Sequence, residues 1–247
     1  MSTVDGLATL QAEVARLGLT LPPAAPAQFA RYLALLGEWR ERAGLTAIAD
    51  PDDVQRRLFG ESLALLVVLR EAGVLAPGAP RRVADLGAGA GFPGVPMRLA
   101  EPALALTLVE AHGRRARFLE ALVEALALED VRVVTARAED AGRDPALREQ
   151  FDVVVARALA PLAVLVEYAL PLLRPGGVLA APKGSRADDE LRAAANAIAA
   201  LGGVAEAPRA LPLPADAPPQ TVLLVRRSGA LDARYPRRAG VPSKRPL

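Results

Sequence analysis

The stretch Val83-Ala84-Asp85-Leu86-Gly87-Ala88-Gly89-Ala90-Gly91-Phe92-Pro93-Gly94-Val95-Pro96 decides the fold. A short apolar strand, Val83 to Leu86, runs into a loop with glycines at 87, 89, 91 and 94, and Asp85 sits just before the first of them. Glycine lets a backbone turn sharply and lets a ligand approach it closely. A second apolar strand, Leu104 to Val109, ends in Glu110, near the ~20-residue separation expected of an acid that accepts hydrogen bonds from ribose hydroxyls. The layout predicts a nucleotide-type cofactor site on an open α/β sheet.

Around this stretch the period of the chain changes. Before it, Leu7, Leu10, Val14 and Leu17 recur at helical spacing over 4–17. Pro22, Pro23 and Pro26 interrupt the pattern. Phe29, Leu33, Leu36 and Arg40 then mark a second amphipathic helix ending near Gly44. Asp50-Pro51-Asp52 reads as the start of a third, with Val54, Leu58, Leu65 and Leu69 on one face. From Val83 onward strands are predicted at 83–86, 104–109, 131–135, 151–156, 177–181 and 221–226, with helices near 93–100, 113–127, 161–173 and 187–201 between them. Alternating strands and helices imply a mostly parallel sheet covered on both faces, and apolar runs such as Val153-Val154-Val155-Ala156 suit that burial. Pro175-Gly176-Gly177 reads as a tight turn into the next strand. The expected organisation is a helical region over 1–80, an α/β domain over 81–227 and a basic C-terminal tail over 228–247.

Composition narrows the function classes. With 52% apolar residues in 247, the chain can bury a sizeable core. It has no cysteine, which excludes disulfides, thiolate nucleophiles and cysteine-ligated metals. No apolar run is long enough to span a bilayer and the N-terminus has no signal-peptide pattern, so the expectation is a cytoplasmic protein with no membrane partner. The net charge is only +2, yet residues 226–247 carry seven basic side chains against the single acid Asp232. Such a tail is either a polyanion contact or a solubilising appendage. Lys183 and Lys244 are the only lysines among 28 arginines, a bias that makes arginine number a poor guide to function.

Two frames compete for the glycine loop. Gly89-Ala90-Gly91-Phe92-Pro93-Gly94 matches the dinucleotide fingerprint, so a nicotinamide or flavin oxidoreductase is one reading. In that fold the strand should run straight into the first glycine, whereas here it ends at Leu86, and Pro93 and Pro96 fall where the helix should begin. The frame Asp85-x-Gly87-x-Gly89-x-Gly91 fits better and resembles the S-adenosylmethionine loop of Rossmann-like methyltransferases.

Further segments are similar to one family. They are Leu-Thr-Ala-Ile at 45–48, Asp-Leu-Gly-Ala-Gly-Ala-Gly-Phe-Pro-Gly at 85–94, Arg-Arg-Ala-Arg-Phe-Leu at 114–119, Arg-Ala-Glu at 137–139, Val-Ala-Arg-Ala at 155–158, Lys183-Gly184, and the closing Tyr-Pro-Arg-Arg-Ala-Gly-Val-Pro-Ser-Lys-Arg-Pro-Leu at 235–247. Together they resemble the bacterial 16S ribosomal RNA guanine-N7 methyltransferase G family, also called glucose-inhibited division protein B. The likeness runs from about residue 29 to the end. It departs from the family pattern at Gly44, Phe59 and Glu61, where the family usually carries Asn, His and Asp.

The resemblance implies a seven-stranded sheet with an antiparallel edge. It also implies methyl transfer from S-adenosylmethionine to N7 of one guanine in the decoding-region loop of 16S rRNA. The partner would be 16S rRNA, in the small ribosomal subunit or its assembly intermediate, and the protein a monomer. By match of position, Gly87, Phe92, Glu110, Ala138, Glu139 and Arg157 would line the cofactor site together with Asp85, Gly89 and Gly91; Arg157 and Lys183 are the candidate catalytic residues. Each has a plainer reading from the residues alone. Glu110 could be a solvated strand-end acid, Glu139 a helix N-terminal acid, Arg157 half of an ion pair, and Lys183 simply exposed. His112, the only histidine, reads as a surface residue, and no metal site is expected. The chemistry is compatible: guanine N7 offers a lone pair and no proton, so its methylation requires positioning and water exclusion, not a base. A non-catalytic ribosome-binding protein remains the other rival.

Overall fold

The computed structural model describes residues 6–247, and its strands are β1 (Arg81–Leu86), β2 (Leu104–Glu110), β3 (Val131–Thr135), β4 (Phe151–Val155), β5 (Leu173–Lys183), β6 (Gly203–Ala205), β7 (Arg209–Ala210) and β8 (Thr221–Arg227). They form one sheet in the order β3-β2-β1-β4-β5-β8-β6, with β7 also paired to β8. β1 to β5 run parallel; β8 is antiparallel to β5, and β6 and β7 are antiparallel to β8. The antiparallel edge expected from the resemblance is therefore present, with a two-residue strand beyond the seven. Strand order reverses between β1 and β4, so a crevice opens there at the carboxyl ends of the strands.

The apolar runs are apolar because both faces of the sheet are covered. Successive side chains point to opposite faces. Val83, Leu106, Val153, Val178 and Leu224 belong to one buried cluster, while Ala84, Val109, Val154, Leu179 and Leu223 belong to the other. The first cluster is completed by the N-terminal helices α1 (Ala8–Arg16), α2 (Ala25–Ala43) and α4 (Glu61–Glu71), which share it with the sheet; the short α3 (Pro51–Asp53) buries no side chain. The opening of the helix predicted from residue 4 lies outside the described residues. Asp50 caps α3 by accepting hydrogen bonds from the Asp52 and Asp53 N–H groups, with Pro51 at the first helical position. Between α3 and α4 the backbone widens into a π-type helix over Val54–Gly60, and the hydroxyl of Ser62, in the first turn of α4, donates back to its Leu58 carbonyl (2.6 Å). Gly44 ends α2 in the left-handed conformation (φ 60°), facing open space. Asparagine also tolerates that conformation, so the departure there exchanges two residues fit for one turn.

The remaining helices follow as α5 (Gly94–Ala100), α6 (Gly113–Ala125), α7 (Ala138–Ala141), α8 (Leu162–Ala169), α9 (Ala187–Ala193), α10 (Ala195–Ala200) and α11 (Val241–Lys244). The helix predicted over 161–173 ends at Ala169, and a 3-10 turn, Leu170–Leu172, carries the chain into β5 at Leu173. Pro175-Gly176-Gly177 is thus not a turn before the strand but an irregularity inside it. The register against β4 shifts there, Gly176 takes φ 82°, and a Cβ at Gly177 would sit 2.9 Å from the Phe151 carbonyl oxygen. β6 and β7 escaped the sequence reading because they are two or three residues long, half-exposed and without apolar alternation.

Candidate active site

The glycine loop bends at the end of β1 and lies against the tip of β2. The Gly87 and Ala88 N–H groups donate to the Val109 carbonyl (2.8 and 3.1 Å). Glu110 takes the next contact: one carboxylate oxygen accepts from the Gly89 N–H (2.9 Å), the other from the His112 N–H (2.8 Å). Each oxygen retains a lone pair for a further donor. Gly87 adopts φ 68°, and a Cβ there would lie 2.6 Å from Leu159 Cδ1, so glycine both permits the left-handed turn and lets Leu159 pack against the loop.

The underside of the loop is held by buried groups. Asp85 is fully buried; its Oδ2 accepts from the Gly94 N–H (2.8 Å), and its Oδ1 has no partner. Burial pushes its carboxyl up from 3.8 to about 7, with Glu110 adding to the rise and the Gly94 N–H and Arg157 opposing it. The buried Tyr32 hydroxyl donates to the Ala90 carbonyl, and Tyr32 stacks on Phe92 at 5.3 Å between ring centroids. A Cβ at Gly91 would meet that hydroxyl at 2.6 Å. Burial holds the Tyr32 phenol well above its ordinary range.

Two cavities meet beside the loop. A cleft of about 280 Å³ is bounded by Gly87, Glu110, Ala138, Arg157 and Leu159, with the exposed His112 at its mouth. A larger pocket of about 700 Å³ lies between the N-terminal helices and the ends of β4 and β5, where Arg57, Glu61, Lys183 and Arg186 converge. Arg157, Ala158 and Leu159 line both. The Arg157 guanidinium pairs with Glu61 (3.3 Å), donates to the Arg57 carbonyl (3.2 Å) and lies 5.4 Å from the Phe92 ring centroid. Burial lowers its pKa, opposed by Glu61 and Asp85. Lys183 donates to the Ala160 carbonyl and pairs with Glu190, both at 2.7 Å.

The candidates named from sequence thus fall into three groups. Gly87, Glu110, Ala138 and Arg157 line the smaller cleft. Asp85, Gly89, Gly91 and Phe92 build the loop from beneath. Glu139 turns the other way, its buried carboxylate accepting from the Gly240 N–H (2.7 Å). Sequence reading missed Glu61, Arg57, Leu159 and the Tyr32 support. The available signal was an apolar residue, Leu159, between an arginine and a proline at the end of a buried strand. Among the described residues no group of three potential ligand side chains is placed to hold a metal, and no helix is long and apolar enough to cross a membrane.

The smaller cleft suits S-adenosylmethionine in its chemistry. It is lined by the backbone of Gly87, whose left-handed turn suits glycine, and by a carboxylate, Glu110, with free lone pairs beside it. The dinucleotide frame fits worse, because β1 already ends at Leu86, ahead of Gly87 and Ala88, so the strand does not run straight into Gly89, and α5 begins only at Gly94.

A mostly parallel sheet whose order reverses beside such a loop is an open α/β fold with a ligand crevice at the switch point. Solved structures share the fold, among them a putative O-methyltransferase from Klebsiella pneumoniae (TM-score 0.55, 16% identity, 80% of this chain and 90% of that one). Another is a predicted O-methyltransferase, protein Atu636, from Agrobacterium tumefaciens (TM-score 0.51, 19% identity, 68% and 81%). The family described as GidB, rRNA small subunit methyltransferase G, matches residues 26–211. The protein named ribosomal RNA small subunit methyltransferase G of Roseiflexus castenholzii is 46% identical over 230 residues, 93% of this chain and 95% of its own. That of Symbiobacterium thermophilum is 43% identical over 243 residues, 96% of each. The chain belongs to the rRNA small subunit methyltransferase G family.

Proposed function

We propose that this protein methylates N7 of a guanine in the decoding-region loop of 16S rRNA, using S-adenosylmethionine and acting in the cytoplasm on the small subunit or its assembly intermediate. The observation that carries the reading is the pair of cavities with one shared wall: a cofactor-sized cleft at the glycine loop opens beside a larger pocket rimmed by exposed Arg57 and Arg186. When bound, S-adenosylmethionine supplies an electrophilic methyl group on a sulfonium. Glu110 would accept from the ribose hydroxyls, and the backbone at Gly87 would admit the amino-acid part. Ala138 would border the adenine, with Glu139 behind it. Arg157, at the wall, would orient cofactor and base together. The arginines of the larger pocket suit RNA phosphates, which position the chain without reading its sequence. N7 attacks with its own lone pair, so the protein's contribution is alignment and exclusion of water. A guanine in folded rRNA must be splayed out to reach the pocket.

The test is mapping of 7-methylguanosine in 16S rRNA from cells with and without the protein. One modified guanine should vanish on deletion and return with the wild type but not with Gly87→Asp. An unchanged pattern would remove N7 of 16S rRNA as the target. Stabilisation by S-adenosylhomocysteine but not by NAD in a thermal-shift assay separates this reading from an oxidoreductase.

A further inference from the structure

The wall between the two cavities is a single short loop, and it is held in an uncommon shape. Ala158 has φ 55°, a left-handed conformation that a residue with a side chain rarely adopts unless its surroundings impose it. Leu159 follows, one of the few large apolar side chains left exposed (37%), and lies over the face of Gly87. What imposes the shape comes from β5 and α9. Lys183 Nζ donates to the Ala160 carbonyl (2.7 Å) and pairs with Glu190 (2.7 Å), and the same Glu190 oxygen accepts from the Leu162 N–H (2.8 Å). The two side chains bracket Pro161 and fix the loop on either side of it. Lys183 therefore has two of its three donors engaged and is nearly buried, with an acid beside it that would repel a phosphate.

We propose that Lys183 and Glu190 are positioning residues: their ion pair latches the Ala158–Pro161 loop, and so holds Leu159 as the partition across which the cofactor cleft and the nucleobase pocket communicate. This rests on the methyltransferase reading above. The latch does not touch the reacting atoms. It sets the width of the opening through which a methyl group can pass and through which water is kept out.

The alternative is that Lys183 grips RNA directly, and the two roles predict opposite results. The experiment measures S-adenosylhomocysteine affinity by calorimetry, without RNA, and 16S rRNA affinity as a function of salt. Both are run on the wild type, Lys183→Met, Lys183→Arg, Glu190→Gln and Leu159→Ala. If the latch operates, Lys183→Met and Glu190→Gln each weaken S-adenosylhomocysteine binding and lower kcat by about tenfold or more, the size expected of a displaced reacting geometry, with little change in the KM for rRNA. Lys183→Arg restores part of both. Leu159→Ala changes a half-exposed side chain, leaves folding intact and also lowers kcat, so the proposal stays testable if Lys183→Met fails to fold. The proposal is overturned if Lys183→Met leaves S-adenosylhomocysteine binding untouched while the salt slope of rRNA binding falls by about one, or if Glu190→Gln tightens rRNA binding. It is equally overturned if Leu159→Ala keeps full kcat. A wild type without affinity for S-adenosylhomocysteine is a different failure: it removes the methyltransferase reading itself, and the latch with it.

Discussion

Asp85 shows how far a single residue can be read from sequence. Its place before the first glycine predicts a cofactor-binding side chain; in the structure its carboxylate lies under the glycine loop, bonded to the Gly94 N–H. Alternation along β1 puts Asp85 on the same face as Val83, but both faces of the strand are apolar, so sequence order does not say which of them the loop covers. Its titration gives a test. Burial raises the carboxyl from 3.8 to about 7 in the folded protein, so between those values the folded state holds a proton that the unfolded state has lost. The stability this group contributes is therefore fully present below the lower value and is lost as pH rises through the higher one. Asp85→Asn keeps an acceptor for Gly94 and carries no charge. Relative to wild type its melting temperature should gain steadily from pH 4 to pH 7 and stay higher above it. Parallel melting curves across that range would refute the raised carboxyl.

At the scale of elements, the N-terminal helices and the glycine loop are joined by aromatic rings. Phe59 lies 5.0 Å from Phe29, 5.1 Å from Tyr32 and 5.8 Å from Phe92, ring centroid to centroid. The family departure at Phe59 is thus a fully buried packing residue here. Phe59→Ala should cost about 3 kcal/mol through the cavity it leaves, and should also weaken S-adenosylhomocysteine binding because Phe92 loses a neighbour on the loop. Denaturant melts paired with calorimetry check both; lost stability with unchanged cofactor affinity would sever the link from helices to loop. The amphipathic periods at Leu7, Phe29 and Leu65 made the helices legible. The surface they cover was not, since a helix's apolar stripe says that it is buried and not against what. The parallel strands were legible from runs such as Val153 to Val155. The π-type segment at Val54–Gly60 was not, because its widened turn alters hydrogen bonding without altering the apolar pattern.

Over the whole molecule, charge is where sequence counting and structure part most. Of the seven basic residues from 226 onward, Arg226 pairs with Glu206, Arg227 with Glu149, Arg234 with Asp232 and Arg237 with Glu167. Arg238, Lys244 and Arg245 hold no ion pair among the described residues and are the charges free to meet a polyanion. The double variant Arg238→Ala/Lys244→Ala should lower the salt dependence of rRNA binding by a slope of about 1.5 without changing stability, as filter binding over a salt series would reveal. An unaltered slope would take the tail out of the interface. Arg237→Ala is a different experiment. Glu167 is fully buried and Arg237 alone meets both its oxygens, so the variant should lose about 3 kcal/mol in denaturant melts.

The segment from Tyr235 to Gly240 is therefore tied into the core. The Gly240 N–H answers the buried Glu139, Arg237 answers Glu167, and Tyr235 is itself buried. In the gene, this means that a premature stop or a frameshift ahead of codon 238, in a stretch whose basic composition reads as dispensable, strands two acids in the interior. One of them adjoins Ala138, in the lining of the cleft beside the glycine loop. Such an allele should behave as a loss of the folded enzyme and not as the trimming of an appendage.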